Sequence, residues 1–192
     1  MGSECQDKVV TRHLANAITV SRLLGVFLVF FLIPPASQVG AVWVLVLYAV
    51  LCLTDALDGW VARRLSGVSE FGKIMDPVVD KVMVLLFLPL IHLGAVAAFP
   101  IFLIFTPEFL VMAIRVGVAK RDQVIPAGFL GKVKTALTLG VIGFLIARLP
   151  LPGGGLLSGI SPSIDTLLVW IVVVITLVSA VPYVREALTQ NS

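Results

Sequence analysis

Charge is scarce in this chain. Lysine, arginine, aspartate and glutamate together make up 13% of the 192 residues, about half the share usual in soluble domains. The two cysteines, Cys5 and Cys52, are too few and too far apart for a metal motif or a disulfide framework, and read as incidental thiols. There is no basic run, and the net charge is only +3, so no nucleic-acid partner is expected. The N-terminal stretch MGSECQDKVVTRH carries Glu4 and Asp7 and no small-residue cleavage pattern, which excludes a secretory signal peptide. Gly2 is followed at position six by Gln6 rather than Ser or Thr, so a myristoylation site is excluded too.

Apolar residues fill the space that charge leaves. They form 59% of the chain, joined by 16 glycines, and the mean hydropathy is +1.08. A disordered chain, a disulfide scaffold and an ordinary soluble domain are all excluded. The expected fold is all-α: a polytopic membrane protein. At roughly 25–30 residues per span and connection, the length accommodates about six transmembrane helices. A short N-terminal cytoplasmic segment is expected before them, and residues 1–192 are expected to form a single membrane domain.

The spans are expected at about 15–33, 39–62, 72–93, 99–119, 132–148 and 165–185. Pro34 and Pro35 end the first. The charge-free run Val82 to Pro107 is too long for one upright span, and His92, Gly94 and Pro100 punctuate it. It reads as a helix ending near Leu93, a tight turn and a second helix from about Phe99. Pro150 to Ser163, with Gly153, Gly154 and Gly155, reads as a loop, and no internal repeat is visible. With the N-terminus inside, all of the 14 lysines and arginines except Arg148 fall on the inner side. By the positive-inside rule both termini, and whatever charged chemistry the protein performs, are cytoplasmic.

The chemistry is concentrated in Asp55 to Asp80, DALDGWVARRLSGVSEFGKIMDPVVD. A carboxylate at a mid-membrane position costs on the order of 2.5–3.5 kcal/mol, so four would cost roughly 10 kcal/mol uncompensated. Asp55 and Asp58 lie some 60° apart on one helix face, at about 100° per residue. Gly72, Asp76 and Asp80 recur every fourth residue along the next helix. A short link, about Leu65 to Ser69, lets the two faces meet. Single aspartates at helix ends are caps or solvated groups; four on converging faces form a cluster that needs cations. Two divalent ions balance four negative charges, and hard oxygen ligands favour Mg²⁺ or Mn²⁺, with Ca²⁺ also compatible. No His or Cys joins the cluster, which argues against zinc. Gly59 and Gly72 remove side chains beside the acids, where a planar group or phosphate can approach, although small residues also serve close helix packing. Arg63, one turn after Gly59, places a cation next to that gap.

The pattern D-x2-D-G-x2-A-R-x8-G-x3-D-x3-D is complete in Asp55, Asp58, Gly59, Ala62, Arg63, Gly72, Asp76 and Asp80. At roughly 5–8% usage per residue type, eight fixed positions coincide by chance about once in 10⁹–10¹⁰ trials. The chain resembles the CDP-alcohol phosphotransferase family. The segment Ala15 to Thr19 followed by Arg22 is similar to the family's first-helix P-N-x-[IL]-T-x-x-R, with Ala15 replacing the proline. Glu108, Arg115 and Gly131 to Thr135 resemble the phosphatidylglycerophosphate synthase branch, and Ser179 to Tyr183 is a looser match to its last helix. The similarity runs from about Leu14 to Tyr183.

The resemblance implies an enzyme that transfers a phosphatidyl group from CDP-diacylglycerol to sn-glycerol 3-phosphate, releasing CMP. It implies two Mg²⁺ or Mn²⁺ ions on Asp55, Asp58, Asp76 and Asp80, with Asp80 as general base. CDP would be bound by Asn16, Thr19, Gly59, Ala62, Arg63 and Gly72. It further implies contact with membrane lipids and a homodimer. Arg115, Lys132 and Lys134 bring three cations to one side of the fourth and fifth spans and suit the acceptor's phosphate, while Lys120 and Arg121 read as positive-inside loop residues. The sequence leaves the role of Glu108 open between pairing with one of these three cations and a place on the metal-free side. Within the family, the alternatives are a cardiolipin synthase using phosphatidylglycerol and a phosphatidylinositol phosphate synthase. From another class, a divalent-cation transporter would also carry intramembrane carboxylates. Against it, the acids crowd one end, the second half has no matching group, and no inverted repeat is present.

Overall fold

The computed structural model describes residues 20–33, 38–64, 81–119, 129–149, 157 and 159–189. Side chains at 38–39, 55–64, 115–119, 129 and 186–189 lie outside this description, although their backbone is helical. Among the described residues the fold is all helical, with six helices and no strand. They are α1 (Val20–Leu32), α2 (Gln38–Arg64), α3 (Lys81–His92), α4 (Ala98–Ala119), α5 (Phe129–Ala147) and α6 (Pro162–Thr189).

Proline and glycine account for the irregular places. Within α3, Pro89 has no N–H to give the Leu85 carbonyl, and its ring crowds that oxygen. The Leu88 N–H takes the carbonyl instead at 2.9 Å, and Leu85 and Leu86 bond three residues back, so the helix tightens locally. At the end of α3, Gly94 has φ +71°. Ala95 N–H donates to the Leu90 carbonyl and Gly94 N–H to that of Ile91, both at 2.9 Å. This is a Schellman stop, in which the left-handed residue is glycine because a Cβ would be strained there. The expected helix end near Leu93, tight turn and restart are therefore observed, with α4 beginning at Ala98.

Two helices begin earlier than the sequence reading placed them. α5 starts at Phe129 rather than 132. α6 starts at Pro162, so Pro162 and Ser163 belong to the helix and not to the preceding loop. Ser161 accepts the Ser163 N–H on its hydroxyl at 3.4 Å, and Pro162 occupies the first helical position, where its missing N–H has no intrahelical partner to lose.

One core joins all six helices. Val29 of α1, Val44 and Tyr48 of α2, Phe87 and Leu90 of α3, Ile104 of α4, Ile142 of α5 and Val172 of α6 are buried together. α6 packs along both α4 and α5, and α5 also packs against α2. The α2–α5 contact is tight: the Tyr48 hydroxyl donates to the Leu139 carbonyl at 2.6 Å. A Cβ on Gly143 would stand 3.0 Å from Cε1 of the Tyr48 ring. The outer faces are apolar as well, with Trp43 68% and Phe31 67% exposed. α5 (over Leu130–Ala147) and α6 (over Pro162–Arg185) are long and apolar enough to cross a membrane.

Candidate active site

α2 runs without interruption through the first half of the acidic motif. Asp55, Asp58, Gly59, Ala62 and Arg63 stand at i, i+3, i+4, i+7 and i+8, the register of a single helix face. Their side chains lie outside the described residues. So do Asn16, Thr19, Gly72, Asp76 and Asp80 entirely. Among the described residues no group of three or more His, Cys, Asp or Glu could hold a metal ion. The four motif aspartates expected to hold metal lie outside that search. As a donor set, four carboxylates suit a hard divalent ion.

The ion-pair chemistry that the structure does describe centres on Glu108. This residue sits on α4, ten positions after its start at Ala98, and is buried. Its Oε1 pairs with Lys134 Nζ of α5 at 2.5 Å, and its Oε2 with Lys81 Nζ at the first residue of α3. A lone buried carboxylate costs several kcal/mol, so it is found paired. Here two ammonium groups from two different helices supply the charge. The Lys134 side chain is 13% exposed, the Lys81 side chain 26%.

Of the three cations predicted for the acceptor, the structure describes the side chains of the two lysines, and these lie on different sides of α5. Lys134 is inside, held by Glu108. Lys132 is exposed, and two helical steps put it about 160° round α5 from Lys134. Arg115 lies on α4, seven residues and so about two turns beyond Glu108, with its side chain outside the described residues. Arg22, from the first-helix segment, is buried. Sequence reasoning did not single out Lys81 as a site residue. The available signal was its position directly after Asp80 at the end of the acidic motif.

Residues 12–179 match the family model described as CDP-alcohol phosphatidyltransferase, a span that takes in the whole acidic motif, Lys81, Glu108 and Lys134. The chain belongs to the CDP-alcohol phosphatidyltransferase family. It is accordingly a transferase of phospholipid biosynthesis. It is 31% identical to the CDP-diacylglycerol–glycerol-3-phosphate 3-phosphatidyltransferase of Bacillus subtilis (strain 168), over 89% of this chain and 93% of the relative. It is 26% identical to the protein of the same name from Rickettsia prowazekii (strain Madrid E), over 94% of this chain and 98% of the relative. A third relative of that name, from Pseudomonas fluorescens, is 35% identical over 60% of this chain and 61% of its own length.

Proposed function

We propose that the protein transfers the phosphatidyl group of CDP-diacylglycerol to sn-glycerol 3-phosphate, giving phosphatidylglycerophosphate and CMP. The observation that carries this reading is the single-face register of Asp55, Asp58, Gly59, Ala62 and Arg63 on α2, in a chain whose relatives are named for that reaction.

In the proposed mechanism Asp80 takes the proton of the acceptor hydroxyl. The hydroxyl oxygen forms a bond to the phosphorus that carries diacylglycerol, and the bond from that phosphorus to the oxygen of CMP breaks, with its electron pair leaving on CMP. Asn16, Thr19, Gly59, Ala62, Arg63 and Gly72 bind the cytidine diphosphate, the glycines by leaving room and Arg63 by its charge. Two Mg²⁺ or Mn²⁺ ions held by Asp55, Asp58, Asp76 and Asp80 would supply Lewis-acid stabilisation of the pyrophosphate and of departing CMP. Arg115 and Lys134 bind the acceptor phosphate, with Lys132 at the rim. Adding Lys81 and Glu108 to those three cations leaves the net charge of the group at +3, since one gain cancels one loss. That charge suits a dianionic monoester better than the monoanionic diester of phosphatidylglycerol.

We further read the six helices as membrane spans, with both termini and the site on the cytoplasmic side and the protein in contact with membrane lipids as a homodimer. The support is the apolar outer faces and the one-sided placement of lysine and arginine. The deciding experiment gives purified protein CDP-diacylglycerol with Mg²⁺ and offers glycerol 3-phosphate, inositol phosphate, serine and phosphatidylglycerol separately. Product from glycerol 3-phosphate is expected. Product from phosphatidylglycerol alone sinks the assignment and promotes a cardiolipin synthase.

A further inference from the structure

We propose that Glu108 is the positioning residue of the acceptor site: it fixes the Lys134 ammonium for the acceptor's phosphate and locks it, through Lys81, to the helix that follows Asp80. The inference rests on the glycerol 3-phosphate reading above. Its structural basis is the pair of contacts from one buried carboxylate, Oε1 to Lys134 and Oε2 to Lys81. A lysine carries its charge on a four-carbon stem with about 2 kcal/mol of rotamer entropy, so an ammonium group that must meet a small anion gains from a fixed holder. Glu108 is such a holder, because it lies on the buried side of α4 among well-packed residues, Ile104 being fully buried one turn earlier. Lys132, exposed and on the other side of α5, is not paired with Glu108.

The second contact gives the arrangement its consequence for catalysis. Lys81 is joined by a peptide bond to Asp80. A carboxylate that grips Lys81 and Lys134 together sets the distance between the start of α3 and the phosphate-binding face of α5. The acceptor is a short molecule with a phosphate at one end and the reacting hydroxyl at the other, so holding both ends to one frame orients the hydroxyl. Glutamine in place of Glu108 keeps the shape. Its amide oxygen can accept from one ammonium, but its NH₂ faces the other, so one of the two lysines loses its anchor.

The test compares wild type, E108Q and E108D in detergent-lipid micelles, varying CDP-diacylglycerol and glycerol 3-phosphate independently. KM does not depend on the fraction of folded enzyme, so a loss of yield does not obscure the readout. The inference expects E108Q to raise KM for glycerol 3-phosphate tenfold or more while KM for CDP-diacylglycerol stays within about twofold. Binding of radiolabelled glycerol 3-phosphate in the presence of CDP should weaken in parallel. E108D, which keeps the charge on a shorter stem, should show the same split with a smaller rise, and it is the variant to read if E108Q does not fold. If both KM values are unmoved, or both move together, Glu108 is only a tie between helices and the inference is overturned. Failure of the wild type to use glycerol 3-phosphate at all overturns the parent reading instead, which separates the two.

Discussion

Lys134 of α5 meets Glu108 of α4 at 2.5 Å, where the Glu108 side chain is buried. The contact divides a pair of lysines that looks equivalent on paper. Lys134 is covered and held, while Lys132 is exposed on the other side of the same helix. Lys134→Ala should therefore weaken glycerol 3-phosphate binding by roughly 1.5–3 kcal/mol, the range for a charged hydrogen bond, and leave donor binding nearly unchanged. Lys132→Ala should cost well under half as much. Acceptor KM for the two variants, measured side by side, checks this; equal losses would place both lysines on the phosphate.

The four aspartates are predicted to act as one charge-balancing set. Asp55→Asn or Asp76→Asn should lower divalent-metal affinity and turnover together, because each removes a negative charge that offsets a cation. Treating the wild type with a chelator should abolish CMP release, and added Mg²⁺ or Mn²⁺ should restore it. Mn²⁺ binding followed by electron paramagnetic resonance reads the first effect without reference to activity. A fully active Asp76→Asn protein would count heavily against two bound metals.

Asp80 is assigned a different task from its neighbours, and the difference is measurable. If helical spacing holds from one to the other, four residues put it about 6 Å beyond Asp76, past the inner ligands. Asp80→Asn should abolish phosphatidyl transfer while CDP-diacylglycerol still binds. Parallel loss of donor binding would make Asp80 chiefly a metal ligand.

How far the sequence carries depends on whether a feature is local. The turn after α3 was legible because Gly94 and the neighbouring His92 interrupt a charge-free run, and the Schellman bonds are made within six residues. The register of Asp55 to Arg63 was legible for the same reason, since helical periodicity needs no tertiary information. The early start of α6 was missed because Pro162 was read as part of a proline-rich loop, when Ser161 before it marks a helix cap. Lys132 and Lys134 join one acceptor group in the sequence because both stand at the start of the fifth span. With the helix beginning at Phe129, positions two apart cannot share a face. Pairing of Glu108 with one of the three acceptor cations was one of the readings open in the sequence, but which cation, and the part of Lys81, were not legible, since the members come from three helices and only packing brings them together. The expected pairing of Asp55 and Asp58 with Asp76 and Asp80 lies outside the described residues.

Arg148, the one cation that the charge pattern placed away from the rest, has a structural task that can be isolated from catalysis. Its Nε pairs with Asp165 Oδ1 at 3.1 Å. Its Nη1 donates to the Ile160 carbonyl at 2.8 Å and lies 3.3 Å from that of Ser161, and its guanidinium stands over the Phe144 ring at 5.9 Å. The end of α5 is thereby clasped to the start of α6. Both side chains of the pair are largely covered, 11% and 13% exposed, so removing one partner leaves a poorly solvated charge. Arg148→Ala should destabilise the protein by roughly 1–3 kcal/mol, the range for leaving a covered polar group unsatisfied. Arg148→Ala with Asp165→Asn should recover part of that, because the stranded carboxylate is gone. Arg148, the residue after α5 ends, follows Lys134 by fourteen positions, about 21 Å at the helical rise, so KM for both substrates should stay at the wild-type values at temperatures where the variants remain folded. Thermal unfolding in detergent, read beside those KM values, checks the separation. A changed acceptor KM in Arg148→Ala would mean that the clasp also sets the position of the lysine end of α5.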